Sequence, residues 1–225
     1  MSGFAFENYN GLKAAIAEWL MRKDLEPQIP QFIRLAEAEL DTVLRTREMI
    51  HRSRTTAKTQ YIALPADWKK AKNVQRVADS KALGLMAFDE IDRYRADLKA
   101  GRRHNDGRGP AFYALVGDTM ELAPAPSSEA PHEIEMIYYA QVPRLRDAKL
   151  PGEVGAVDTN WLLQDYPAIY LYGALVHSAP FLKEDERVPV WQNLYQQAVA
   201  SANQSDADSR FSGAPMTRRG TGFGV

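Results

Sequence analysis

The apolar residues of this chain change their spacing twice, and this change restricts the possible folds more than any other feature. Near the N-terminus they recur at helical spacing, as in Leu12, Ile16 and Leu20, which gives each of two successive helices one apolar stripe. From about residue 55 to 145 the spacing is that of strands, and from Asn160 it is helical again. Neither N-terminal helix can bury its stripe alone, so we expect the two helical ends to meet in one bundle, with the strands as an insertion.

The individual helices carry their own signals. Asn8 or Asn10 can cap the first helix, and Pro30 suits the first turn of the second. The segment 169–176 is apolar nearly all round, as expected of a central helix, and the last helix should keep its spacing for three turns after Pro189. The second helix should bury these residues on one side: Phe32, Leu35, Ala36, Leu40, Val43 and Leu44.

The middle of the chain has the features of a small antiparallel β region. Residues 132–140 alternate, which puts Ile134, Met136 and Tyr138 on one face. Gly117 and Asp118 can form the tight turn of a hairpin between two short apolar runs. Further expectations are short strands at 55–62 and 74–77, a short helix at 87–98 and a mobile, glycine-rich loop at 99–110.

We therefore predict an α+β fold in four parts. These are N-terminal helices of the bundle (1–54), an inserted antiparallel β region (55–150), C-terminal helices of the bundle (151–205) and an extended C-terminal arm (206–225). The arm contains glycines that oppose regular structure, yet it keeps apolar and basic residues suited to folding on a partner. We expect these arm residues to bind the partner or a neighbouring copy: Arg210, Phe211, Met216, Arg218, Arg219 and Phe223.

Composition excludes several classes of protein. The chain has 28 Lys+Arg against 29 Asp+Glu, a net charge of −1 and no Cys, so a disulfide framework, thiolate metal sites and a strongly basic nucleic-acid coat are excluded. The first nine residues lack the pattern of a signal peptide. The longest stretch without Asp, Glu, Lys or Arg, 166–182, is shorter than the roughly 20 residues that a bilayer requires. We expect no contact with a membrane.

The sequence offers no assembled chemistry. The four His are not at the spacing of a helical metal site, and no phosphate-binding glycine motif or nucleophile elbow occurs. Glu37 and Glu39 are two carboxylates of the kind that hydrolyse glycosides, but on a helix they point to different faces. We predict no catalytic residue, no cofactor and no metal. We expect His177 on the central helix to be hydrogen-bonded, in the core or at an interface.

Charge is segregated along the chain. Residues 45–58 carry five basic and one acidic side chain, residues 93–108 six and two, and residues 121–135 four acidic and none that is basic. The basic clusters could face nucleic acid, meet the acidic segment of a neighbouring copy, or be solvated. The candidates for a channel or subunit interface are Arg45, Arg47, Arg52, Arg54, Arg102 and Arg103.

Several segments resemble the head-to-tail adaptor proteins of short-tailed bacteriophages. The resemblance covers most of residues 8–211 and is weakest at 81–109 and 218–225. The family's N-terminal helix pair is similar to the segments NYNGLKAAIAEWLMRKDL and IPQFIRLAEAELDTVLRTREM. Its first strand is similar to YIALPADW, and its hairpin and following strand are similar to FYALVGDTMELAPAP and IEMIYYAQVPRL. The most specific similarity is carried by TNWLLQDYPAIYLYGALVHSAPFLKEDERVPVWQNLY.

The resemblance implies a structural, non-enzymatic protein of the virion at the head–tail interface, assembled in the host cytoplasm. It implies a homo-oligomeric ring, typically of twelve copies, that lies beneath the portal protein, closes the packaged head and docks the tail or nozzle protein. Genomic DNA would pass through the ring without sequence-specific binding, at ejection, and the C-terminal arm would contact the portal. Two alternatives remain at this point: a peptidoglycan-cleaving muramidase at the tail vertex, and a small DNA-binding module.

Overall fold

A computed structural model describes residues 6–104, 107–147, 157–182 and 186–211, with the backbone alone for 206–211. The described chain is of mixed α+β class, as predicted, and divides into two compact units. The helical unit comprises Met1–Arg47 and Val142–Val225, and the sheet unit comprises Glu48–Gln141. The helical unit is therefore built from two segments that are distant in sequence.

The described residues form six α-helices and seven strands. The helices are α1 (Tyr9–Leu20), α2 (Ile29–Val43), α3 (Phe88–Lys99), α4 (Trp161–Asp165), α5 (Pro167–His177) and α6 (Arg187–Phe211). The strands are β1 (Ile50–Ala57), β2 (Tyr61–Ala63), β3 (Trp68–Arg76), β4 (Gly84–Leu85), β5 (Phe112–Val116), β6 (Thr119–Ala123) and β7 (His132–Ala140).

Helix α1 begins where its sequence signal predicts. The side chain of Asn8 accepts a hydrogen bond of 2.9 Å from the N–H of Gly11, which satisfies a donor of the first turn that has no partner within the helix. Leu12, Ile16 and Leu20 are buried at helical spacing. The local pattern therefore sets both the start and the buried face of this helix.

Helix α5 is the central element of the helical unit, packed against α1, α2 and α6. Gly173 allows this close packing, because a Cβ atom at this position would lie 3.1 Å from Cβ of Ala36 and 3.2 Å from the ring of Tyr195. Both distances are shorter than ordinary van der Waals contact, so the neighbouring helices lie directly on the backbone of α5. The side chains that surround this contact are buried: Ile169, Tyr170, Leu171, Ala174 and Leu175.

Two expectations for the helices are wrong. Leu35 and Val43 of α2 are 44% and 41% exposed, and Ile33 is buried instead, because contact with α5 selects the face that contains Ala36. Helix α6 continues to Phe211, so residues 206–211, which we expected in an extended arm, are helical. Neither Gly nor Pro occurs between residues 191 and 212 to end the helix.

The sheet unit contains two small sheets that share one core. Strands β1, β7 and β3 form the first sheet in that order, and β2, β6, β5 and β4 form the second. The predicted hairpin is present, with Gly117 at a φ of 57° in the turn between β5 and β6. The core between the sheets includes Ile134, Met136 and Tyr138, which is the face of β7 that alternation predicted.

The first strands begin earlier than the sequence indicated. β1 starts at Ile50 and β3 at Trp68, although we expected strands from Thr55 and Val74. Both strands pair with β7 over most of its length, so pairing outweighs the weak strand propensity of their charged residues. Arg52 and Arg54 are consequently strand residues in the sheet unit, whereas we had assigned them to the N-terminal helices.

We predict that Gly173→Leu lowers the free energy of unfolding by about 3 kcal/mol or more, because the new side chain must separate α5 from α2 and α6. Chemical denaturation followed by circular dichroism measures the change. Gln197→Leu, which adds the same side chain at an exposed position of α6, is the control and should stay within about 0.5 kcal/mol of the parent. Equal stability of the two variants would contradict the proposed role of the glycine.

Candidate interaction surfaces

The outer face of the three-stranded sheet combines side chains from all three of its strands. In antiparallel pairing, residues directly opposite each other point to the same side of the sheet. Arg54 and Gln75 are both paired with Glu135, and Arg52 is paired with Ile137. Glu135 and Ile137 alternate along β7 with the core residues. They and the residues paired with them therefore lie on the opposite side of the sheet, which we call the outer sheet face.

Glu135 organises this face although it is only 3% exposed. Nε of Arg54 donates to its Oε1 at 2.7 Å, and the amide of Gln75 donates to its Oε2 at 2.8 Å. The guanidinium of Arg52 lies 3.8 Å from the same carboxylate. The hydrogen bond from Arg54 lowers the pKa of Glu135, with the charge of Arg52 as a further cause. The two arginine side chains nevertheless remain 62% and 60% exposed.

Strand β3 adds two lysines to the outer sheet face. Lys70 is paired with Tyr139, and Nζ of Lys72 lies 5.6 Å from the centre of the Tyr139 ring. Both lysines are exposed. Neither lysine was predicted to lie on a sheet, because no strand was expected between residues 62 and 74. Their spacing relative to Tyr139 follows from two irregularities in the pairing of β3 with β7, which local sequence does not reveal.

The second basic cluster is tied to helix α3. Nε of Arg102 lies 2.9 Å and Nε of Arg103 lies 3.6 Å from the carboxylate of Asp97. The guanidinium of Arg103 also lies 4.9 Å from the centre of the Tyr94 ring. These arginines are 68% and 53% exposed, so they remain candidates for contact with a partner.

Arg45 and Arg47 are exposed residues that follow helix α2. The backbone N–H of Arg45 donates to Oδ1 of Asn203 on α6 at 2.8 Å, and its guanidinium donates to the backbone oxygens of Asp41 and Leu44. Arg45 therefore contributes to the structure of the helical unit. A role for either arginine at a channel or subunit interface stays a prediction.

The acidic segment is partly neutralised within the chain. Glu121 accepts from Arg95 at 2.8 Å, and Glu135 accepts from Arg54. Glu129 and Glu133 are exposed. Only part of the segment is thus available to a neighbouring copy. Of the arm residues, Arg210 and Phe211 fall within the backbone of α6, and Met216, Arg218, Arg219 and Phe223 lie outside the described residues.

The two carboxylates considered for glycoside chemistry have different environments. Glu37 is 8% exposed, and its Oε1 accepts from the N–H of Leu145 at 2.7 Å. Burial raises the pKa of Glu37 to about 7. Glu39 instead lies 3.0 Å from Nε2 of His177, which agrees with the hydrogen-bonded role expected for that histidine.

Within the described ranges of the chain, no group of three or more His, Cys, Asp or Glu side chains is arranged to hold a metal ion. No helix in the same ranges is long and apolar enough to cross a membrane.

A family model described as SU10 adaptor protein matches residues 7–219. The chain therefore belongs to the SU10 adaptor protein family, which confirms the resemblance to phage head-to-tail adaptors. It is a bacteriophage adaptor with a structural role at the head–tail junction of the virion. The curated proteins gave no match to the chain.

We predict that the stability of the protein falls as the pH rises from about 4.5 to about 7, because folded Glu37 retains a proton that the unfolded chain has released. A shift from the ordinary pKa of 4.5 to about 7 corresponds to roughly 3 kcal/mol over this range. Glu37→Gln keeps the acceptor for Leu145 and should remove this part of the pH dependence. Thermal unfolding between pH 4 and 8 measures it.

Glu18→Gln is the control for the loss of one carboxylate, because Glu18 is exposed on α1. Its stability should follow the parent profile across the same pH range. A parent profile that Glu37→Gln leaves unchanged would show that another group causes the pH dependence.

Proposed function

We propose that copies of this chain form a closed ring beneath the portal, with twelve as the expected number. The ring closes the head after packaging, provides a docking surface for the tail or nozzle protein and lines the channel through which DNA passes. The observation that carries this proposal is the match of the adaptor family model to nearly the whole chain. Arg52 and Arg54, which are exposed on the outer sheet face, supply charged groups that suit such a channel or a subunit boundary.

A ring requires heterologous contacts, in which one face of a subunit meets a different face of the next. The chain offers several exposed surfaces of different character. Arg102 and Arg103 are basic, whereas Leu85 and Phe88 are apolar, with exposed fractions of 64% and 67%. Such unlike surfaces support head-to-tail assembly of copies. Imaging of the chain together with its portal tests the proposal, since a closed ring on the portal would support it and a bound monomer would contradict it.

Two further assays separate the alternatives. A muramidase would clear a peptidoglycan suspension, and a turbidity assay with the full chain would detect this. An independent DNA-binding module would bind duplex DNA strongly as a monomer and would not assemble on the portal.

We predict that the isolated chain is mostly monomeric at micromolar concentration. Exposed ion pairs contribute little at physiological salt, so contacts between free copies should be marginal and the portal should template the ring. Light scattering with and without portal measures this. A stable ring in the absence of portal would contradict the templated assembly.

We predict that deletion of residues 212–225 abolishes attachment to the portal but leaves the thermal midpoint nearly unchanged. The deleted segment follows helix α6 and contains Met216, Phe223 and two arginines, which can enter pockets and pair with carboxylates. Thr217→Ser with Thr221→Ser keeps the length and these anchors, and should attach normally. Undiminished attachment of the truncated chain would disprove the proposed role of the arm.

A further inference from the structure

The outer sheet face is more cationic than the composition of the chain suggests. Arg52, Arg54, Lys70 and Lys72 are exposed on it, although the whole chain has a net charge of −1. These four residues lie beside the part of β7 between Glu135 and Tyr139. This part of the strand is about 14 Å long at the rise of an antiparallel strand.

The carboxylates of this face do not interrupt its cationic surface. Glu135 is 3% exposed, and both of its oxygens accept hydrogen bonds from Arg54 and Gln75. Glu133 is exposed and pairs with Thr56, so it lies beyond the basic residues at one end of the sheet. The outer sheet face between Glu135 and Tyr139 therefore presents cations and neutral amides to a partner.

The apolar residues of the face argue against a protein partner. Ile50, Ile137 and Tyr139 are only half-exposed, and Nζ of Lys72 lies 5.6 Å from the centre of the Tyr139 ring. Protein interfaces are usually centred on exposed aromatic or apolar anchors and are depleted in lysine. Interfaces with nucleic acid are more polar and much more positively charged. An open sheet face with four exposed cations belongs to the second kind.

We propose that the outer sheet face binds the phosphate backbone of duplex DNA, electrostatically and without reading bases. Its length of about 14 Å corresponds to the axial rise of roughly four base pairs of duplex DNA at 3.4 Å each. The inference rests on the proposed function in one respect, namely that this face is the part of each subunit that is turned towards the channel. Glu133 sets the strength of binding, because its exposed charge repels phosphate at the edge of the face.

The test uses the full chain and a short fluorescent DNA duplex, with anisotropy measured over a series of salt concentrations. Arg52→Gln with Lys72→Gln removes two cations from the face and leaves the pair of Arg54 with Glu135 intact. Each phosphate contact contributes about −0.9 to the slope of log K against log salt, so this variant should have a slope shallower by about 1.8. Circular dichroism checks that the variant is folded.

Arg102→Gln with Arg103→Gln is the matched control, because it changes the net charge equally but lies on the cluster at α3. We expect it to bind DNA with the parent slope. Glu133→Gln should bind more tightly than the parent. Two results would overturn the inference. One is an equal decrease of the salt slope in the two double variants, and the other is a parent chain that does not bind DNA at low salt.

Two further measurements separate the possible failures. If poly-glutamate of matched charge binds the face as tightly as the duplex, the partner is an acidic protein and the inference is wrong. If the parent chain forms a ring on the portal, but Arg52→Gln with Lys72→Gln binds DNA as well as the parent does, only the inference about this face fails. If the predicted loss is seen but no ring forms, the proposed adaptor ring fails and the DNA-binding face remains.

Discussion

The close contact of α5 with α2 is the interaction on which the helical unit depends. It joins two segments that are separated in sequence by the whole of Glu48–Gln141, and long-range contacts of this kind must offset a large loss of chain entropy. Gly173 and Ala36 are small enough to let the two helices approach closely. The central helix can therefore be apolar nearly all round, since neighbouring helices cover it on several sides.

Buried polar groups fix the position at which the chain returns to this unit. The side-chain oxygen of Asn160 caps α4, and its amide donates to the backbone oxygen of Pro143 at 2.6 Å and to the hydroxyl of Tyr170 at 2.8 Å. Two residues after Pro143, the N–H of Leu145 donates to the side chain of Glu37 on α2. A buried polar group without a partner costs more than the bond itself contributes, so these bonds specify one register for the returning segment.

Strong local signals allowed much of the fold to be predicted. The turn at Gly117 and the alternation of His132–Ala140 depend on neighbouring residues and were correctly located. The cap of α1 is Asn8, one of the two candidates that the sequence offered. Errors arose where pairing between distant segments decides the outcome. The start of β3 at Trp68 is set by β7, and the exposure of Leu35 is set by the docking of α5.

The same distinction explains why the interaction surfaces were only partly predictable. Counting charges along the sequence separated an acidic segment from a basic one, but antiparallel pairing of β1 with β7 brings members of both onto one side of a sheet. Glu135 thereby accepts a hydrogen bond from Arg54, which lies 81 residues away in the sequence, and its charge is compensated within the chain. Lys70 and Lys72 join the same face from a third strand. The strand register therefore has two effects that the order of charges along the sequence does not show. It neutralises Glu135, and it gathers exposed basic side chains on the same face of the sheet.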